Sequence, residues 1–193
     1  MKRVLCGVLA VVLALSCFVG CQKKSAAKTF ETISITFEDG KSVDTNMDMD
    51  TVRKIMGDSP DNTLETEYSI TDEWYYYGIS AEYRDEKADR FHVYPIMYGT
   101  HFSTSLGVSL GDSVASLKEK LGEKMEIDAE EDKYPTDYQY GFILEDGRYT
   151  LFNGTFEEFV SSLSEESGQL SLYMATFGTE NDKVDSFSIY KFP

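Results

Sequence analysis

Only His92 and His101 carry side chains whose ordinary pKa suits general acid–base work near neutral pH. Neither stands in a known catalytic spacing. No serine occupies a Gly-x-Ser-x-Gly elbow, and no His-Glu-x-x-His run is present. His92 lies between Phe91 and Val93, as a surface or interface residue of a strand does; His101 precedes Phe102. The 34 Asp and Glu make chance carboxylate pairs of the glycosidase kind unavoidable, and runs such as Glu130-Glu131-Asp132 read as solvated loop. Asp44 to Asp50 spaces oxygens like the start of a calcium loop. Met49 and Ile55 stand where that loop needs glycine and glutamate, so helix capping by Asp48 accounts for the segment better. The chain reads as a non-enzyme with no cofactor and no metal site.

The three cysteines, Cys6, Cys17 and Cys21, all fall in the first 21 residues. Lys2 and Arg3 precede an apolar run from Val4 to Phe18, too short for a membrane span and right for an export signal over residues 1–20. Phe18-Val19-Gly20-Cys21 resembles the lipobox of bacterial lipoproteins, with Cys21 as the lipidated residue. That resemblance implies removal of residues 1–20 and a lipid anchor on Cys21. The protein would then be held on the outer side of the cytoplasmic membrane or in the outer envelope. Several acyl chains hold stably, since each buried methylene contributes about 0.8 kcal/mol. Residues 21–28 read as a polar tether. The processed body would have no thiol, hence neither disulfide nor cysteine nucleophile.

Cleavage would remove two of the 18 basic residues and no acid, leaving 16 against 34 and a net charge of −18 before histidines are counted. Such a surface repels phosphate backbones, so nucleic acid is excluded as a partner. The partners that remain are the membrane, through the lipid, and another protein.

The elements that position these residues repeat. In Leu106 to Gly122, Val108 and Leu110 precede a Gly-Asp-Ser turn, and Val114, Leu117 and Leu121 recur at helical spacing before a closing glycine. Asp112 or Ser113 can cap that helix. Val43, Met49, Val52, Met56 and Gly57 repeat the pattern 65 residues earlier. Lys87 to Ile96 resembles Lys183 to Phe192, with Lys, Asp, Phe and Tyr identical. The fold expected is therefore α+β with two tandem modules, 30–97 and 98–193, each a short helical element on an antiparallel sheet. The second holds an extra helix opened by the capping box Thr155-Phe-Glu-Glu158. Thr29 to Phe37 and Asp72 to Arg84 read as single strands. Leu64 to Ile70 reads as a short one, and Asp89 to Met97 as a returning one. Tyr138 to Leu144 with Arg148 to Phe152 forms a hairpin, as does Leu170 to Phe177 with Val184 to Phe192.

The apolar–Gly-Asp-Ser–helix–Gly pattern followed by aromatic strands resembles the repeat of the β-lactamase inhibitor protein family. It is also similar to the small outer-membrane assembly lipoproteins of the SmpA/OmlA type. The matching residues are Val108, Gly111, Asp112, Val114, Leu117, Leu121 and Gly122, then Tyr138, Tyr140 and Gly141. In the first module they are Val43, Val52, Met56, Gly57, Tyr75, Tyr77 and Gly78. The resemblance implies a helical pair on an antiparallel sheet in each repeat and a sheet face that binds a partner protein.

Strand alternation assigns the aromatic residues to faces. Tyr75, Tyr77, Ile79, Ala81 and Tyr83 form one set, taken as core, which turns Trp74 and Tyr76 outward. Extending the closing-strand match backwards instead pairs Trp74 and Tyr76 with Leu170 and Leu172, which would bury them. On the closing strands Phe91, Val93, Phe187 and Ile189 point inward, and His92, Tyr94, Ser188 and Tyr190 outward. The expected partner-binding set is Trp74, Tyr76, His92, Tyr94 and Tyr190, large amphipathic groups suited to protein contact. Whether that face is open depends on where residues 155–166 lie. The alternatives are a structural or assembly lipoprotein of the envelope, and a carbohydrate- or peptide-binding lipoprotein that uses the same rings.

Overall fold

The computed structural model describes residues 27–57, 59–94, 101–126, 137–165 and 170–192. Residues 1–20, where an export signal is expected, Cys21, Met97 and residues 130–132 lie outside them. Twelve strands and three helices follow one another in these residues. They are β1 (Thr29–Phe30), β2 (Ser34–Phe37), β3 (Ser42–Asp44), α1 (Met49–Met56), β4 (Asn62–Glu65), β5 (Ile70–Trp74), β6 (Ile79–Arg84) and β7 (Lys87–Val93). Then come β8 (Phe102–Thr104), α2 (Val114–Leu121), β9 (Tyr138–Glu145), β10 (Arg148–Leu151), α3 (Phe156–Glu165), β11 (Ser171–Glu180) and β12 (Lys183–Lys191). The class is α+β. Nine strands form one antiparallel sheet in the order β1-β10-β9-β11-β12-β7-β6-β5-β4, and β3-β2-β8 form a second. None of the described helices is long and apolar enough to cross a membrane.

The two closing strands, β7 and β12, pair at the centre of the large sheet. Phe91 lies opposite Ile189, Val93 opposite Phe187, and His92 opposite Ser188. Residues 91–93 match 187–189 in sequence, so this register relates the halves by a local two-fold axis through the His92–Ser188 pair. The same relation governs the attachment of the helices. Met49 N–H donates to Glu86 O and Val114 N–H to Asp182 O; Asn46 N–H donates to Ala88 O and Gly111 N–H to Val184 O. Both hairpins carry a bulge at the same place, Glu82/Tyr83 and Gly178/Thr179. Asn46 and Gly111 both have positive φ, the left-handed backbone that lets each turn lead into its helix.

One face of the large sheet is the core. Ile79, Ala81, Tyr83, Phe91, Val93, Phe177, Phe187 and Ile189 pack there with Val52 and Met56 of α1 and Leu117 and Leu121 of α2. Ile33, Ile35 and Val43 bring the small sheet onto the same cluster. The expected single strand at Thr29–Phe37 is in fact two. Phe30 packs edge-on against Phe142 in the large sheet, and the chain crosses at residues 31–33 to place Ile33 and Ile35 from the other sheet. Ser113 caps α2 by accepting from Ser116 N–H. Asp48 occupies the equivalent position before α1 but makes no capping bond; its carboxylate holds Lys87 instead, 2.6 Å away.

The modules differ beyond their central hairpins. In the first, β4, β5, β6 and β7 follow as a meander. In the second, β9 takes the place beside β11 that β5 takes beside β6. The chain then turns outward through β10 and returns across the other face of the sheet as α3. The capping box forms as its spacing expects: Glu158 N–H donates to Thr155 Oγ1, and Thr155 N–H to Glu158 Oε2.

The stretch from Asp72 to Arg84 departs from the expected single strand. It breaks at Tyr75–Gly78, where Gly78, with φ of 68°, donates to Trp74 O. Inserting a turn changes the parity of everything before it. Ile79, Ala81 and Tyr83 are core as expected, but Asp72 and Trp74 join them, whereas Tyr75 and Tyr77 are exposed. The match of Tyr75, Tyr77 and Gly78 to Tyr138, Tyr140 and Gly141 therefore fails in space, because the first set is a turn and the second is strand.

Candidate functional site

Side chains on the non-core face run in rows across the sheet. One row reads Asn62, Glu73, Ser80, His92, Ser188, Thr176 and Gln139. The next reads Leu64, Thr71, Glu82, Arg90, Tyr190, Met174 and Gly141. The first is polar throughout. The second changes character at Tyr190: apart from Leu64 at the edge, polar and charged groups stand on the β7 side, and Met174 and Gly141 on the β11 side.

Helix α3 explains the change. Phe159, Met125, Leu172 and Met174 form a second buried cluster, joined by Ile143, Phe152, Phe156, Val160, Tyr190 and Phe192. Phe159 lies directly over Gly141, where a Cβ would stand 2.6 Å from its ring. Only a residue without a side chain allows so close an approach. The β9–β11–β12 half of this face is thus covered by α3, and the half formed by β7, β6, β5 and β4 has no helix over it among the described residues.

Five side chains converge at the border. The His92 Nδ1 atom is hydrogen-bonded to Ser188 Oγ. The Tyr94 ring stands edge-on to the imidazole at 4.4 Å between centroids. The Arg90 guanidinium lies over the Tyr190 ring at 4.7 Å. Tyr190 turns its hydroxyl away from this cluster, toward Met174 Sδ at 2.7 Å. Arg90 also approaches Glu82 at 3.8 Å, and Glu82 lies 3.5 Å from Arg84. Burial, and secondarily the Arg90 charge, lowers the His92 pKa below its ordinary value. At neutral pH the imidazole is uncharged, an acceptor on one nitrogen and a donor on the other.

Three of the five expected partner-binding residues meet here: His92, Tyr94 and Tyr190. Tyr94 is 41 % exposed; His92 and Tyr190 are half-buried. Tyr76 does not join them. It is 71 % exposed on the turn at the end of β5 and β6, its ring edge-on to Tyr77 at 5.4 Å. Trp74 is a correction. It is 3 % exposed and belongs to the core, so it presents nothing to a partner. The backward match of the closing strands does not account for this burial: Leu172 lies on the outer face under α3, and Tyr76, which the match would bury, is exposed; the turn after Trp74 is what resets the alternation. Sequence reasoning missed Arg90, whose position two residues before His92 on one strand already puts both on one face. It also missed Ser80, which lies opposite His92 and has its hydroxyl 3.5 Å from Tyr94 OH.

Among the described residues, no group of three His, Cys, Asp or Glu is placed to hold a metal ion. A cleft between Glu123–Glu126 and Phe152–Thr155 lies at the edge of the second cluster. The cluster at His92 offers hydrogen-bonding, cationic and aromatic surfaces side by side, the mixture found at recognition surfaces.

Compared with known protein families, with curated proteins and with solved structures, the chain matches none.

Proposed function

We propose that this chain is a lipid-anchored extracytoplasmic protein that binds another protein through the uncovered half of its outer sheet face. The observation that carries the reading is the division of that face at Tyr190. On one side α3 completes a buried apolar cluster. On the other, Arg90, His92 and Tyr94 stand beside each other with no helix above them among the described residues. Arginine and tyrosine are the residue types that most often dominate binding energy when a partner desolvates them.

The anchor agrees with this orientation. Lys28 Nζ donates to Glu119 O and Lys120 O at the C-terminal end of α2, where carbonyls lack helical partners. The chain then enters the large sheet at β1, the edge opposite β4. The seven residues from Gln22 to Lys28 reach at most about 25 Å from a lipidated Cys21. Eight strand spacings put β4 about 38 Å further across the sheet. The open half is the half held away from the anchor.

The reading is tested by substituting His92→Ala and Tyr94→Ala together and comparing capture of envelope and secreted proteins with the parent chain. Loss of a specific captured protein, with unchanged circular dichroism and unfolding midpoint, is the expected result. Capture that is indifferent to both substitutions contradicts it. A second reading, carbohydrate binding, is favoured by the exposed rings of Tyr75, Tyr76 and Tyr94, which could stack on sugar faces. A glycan array without a hit removes it.

A further inference from the structure

Strand β4 is a free edge of the large sheet: among the described strands it pairs only with β5. An edge of this kind presents unpaired backbone donors and acceptors and is normally blunted by shortness, charge (lysine above all), proline or a bulge. β4, Asn-Thr-Leu-Glu, is short and carries one carboxylate, but it has no lysine, proline or bulge. Its neighbourhood is also one-signed. From Ile55 to Tyr83 the sequence holds seven carboxylates and no Lys or Arg. Two of the seven have cations from outside the run: Arg53 holds Asp72, and Arg84 and Arg90 lie beside Glu82. Among the described residues, Asp61, Glu65, Glu67 and Glu73 at the edge meet no cation. Asp61 accepts from Tyr75 N–H, and Glu73 from Asn62 Nδ2 and Tyr75 OH, all neutral donors. Glu65 and Glu67 are exposed and hold no cation among the described residues. Apolar groups stand among these charges, Leu64 at 52 % and Tyr68 at 79 % exposure.

We infer that β4 is a docking edge for an extended, cationic polypeptide segment, which adds to the sheet as a tenth strand antiparallel or parallel to β4. The inference rests on the proposed protein-binding role and specifies the partner's chemistry. The free backbone supplies main-chain hydrogen bonds and fixes an extended conformation. Asp61, Glu65, Glu67 and Glu73 select lysine and arginine in the incoming strand and repel acidic ones. The same repulsion disfavours a second copy of this chain, whose own β4 would bring identical carboxylates across the new interface. Leu64 and Thr71 share a face with Glu82 and Arg90, so a strand added at β4 continues the rows that end in the His92 cluster.

The test uses the full chain in detergent and a fluorescent peptide of alternating lysine and threonine. Two controls have the same length: one with alternate backbone nitrogens methylated, and one with glutamate for lysine. The expected result is binding of the lysine peptide at least about tenfold tighter than either control, with new hydrogen-exchange protection of amides in β4. Leu64→Lys with Glu65→Lys, the edge lysines that β4 lacks, should weaken it by about tenfold or more. Lys118→Ala, at an exposed pair on α2 away from both surfaces, should leave it unchanged. Equal binding of the methylated peptide would reduce the effect to charge alone and overturn strand addition. No binding of the lysine peptide, or no response to the β4 substitutions, would also overturn it. If a captured partner is lost on His92→Ala with Tyr94→Ala but kept on the β4 substitutions, the face reading stands and the edge falls. If neither set affects capture, the protein-binding reading itself falls.

Discussion

The two halves of the large sheet are built on the same hairpin, helix and bulge, yet their outer faces differ: one lies under α3 and the other has no helix over it among the described residues. Beside β11 and β12, Leu172 and Met174 lie under Phe159. On the same face of β6 and β7 stand Ser80, Glu82, Arg90 and His92. A sheet face that is apolar must be covered, and α3 covers it; a face of charged and hydroxyl side chains needs no cover. The helices on the core side differ as well. In the first half, Arg53 of α1 makes two bonds, 2.7 and 3.0 Å, to the fully buried carboxylate of Asp72, which also accepts from Thr63 Oγ1. In the second half the matching residue of α2 is Lys118, which pairs on the surface with Glu123. The covered half is held by apolar packing on both faces. The open half adds the buried Arg53–Asp72 ion pair to its apolar core face, and no helix among the described residues covers its outer face.

Breaking the covered half should cost most. Phe159→Ala removes the ring that fills the space above Gly141, and the loss should be about 3–5 kcal/mol, read from urea unfolding. Arg53→Ala should follow, at about 3 kcal/mol, because it leaves Asp72 buried without its cation; a thermal scan at neutral pH reads the change. A smaller effect concerns His92. Its pKa is lowered in the folded protein, so below about pH 6.5 the unfolded chain binds the proton first and stability falls. Above that pH the contribution is complete. Unfolding midpoints taken between pH 7.5 and pH 5 should decline less in His92→Asn than in the parent. Asp44 and Asp89, raised by burial, act in the opposite sense and are common to both proteins. The smallest effect is expected at Lys118→Ala, where an exposed pair should leave the midpoint where it was.

The helices and closing strands were legible because they are written in positions with strict local demands. A cap or left-handed turn before each of α1 and α2, a glycine after it, and inward Phe and Val or Ile on β7 and β12 stand in both halves of the sheet. The helix at Thr155 was legible for the same reason, its capping box being a local signal. What was not legible depended on a turn without familiar punctuation. Trp74-Tyr75-Tyr76-Tyr77-Gly78 looks like alternating strand, and its aromatic residues favour strand; only Gly78 marks the reversal. That single turn moved Trp74 from the face to the core and Tyr75 from the core to solvent. The hairpin of β4 and β5 was hidden likewise, since Thr66 makes its turn by accepting from Tyr68 and Ser69 N–H through its hydroxyl. Of the candidate site, His92, Tyr94 and Tyr190 were readable from strand parity. Their meeting was not, because it depends on which two strands pair at the sheet's centre.

The division of the outer face is tested most directly by placing a photo-activated cross-linking residue at Tyr94 in one version of the chain and at Glu157, exposed on α3, in another. After irradiation in living cells, the account expects a discrete cross-linked partner from position 94 and none from position 157. The same adduct from 157 alone, or equal yields from both, would contradict it.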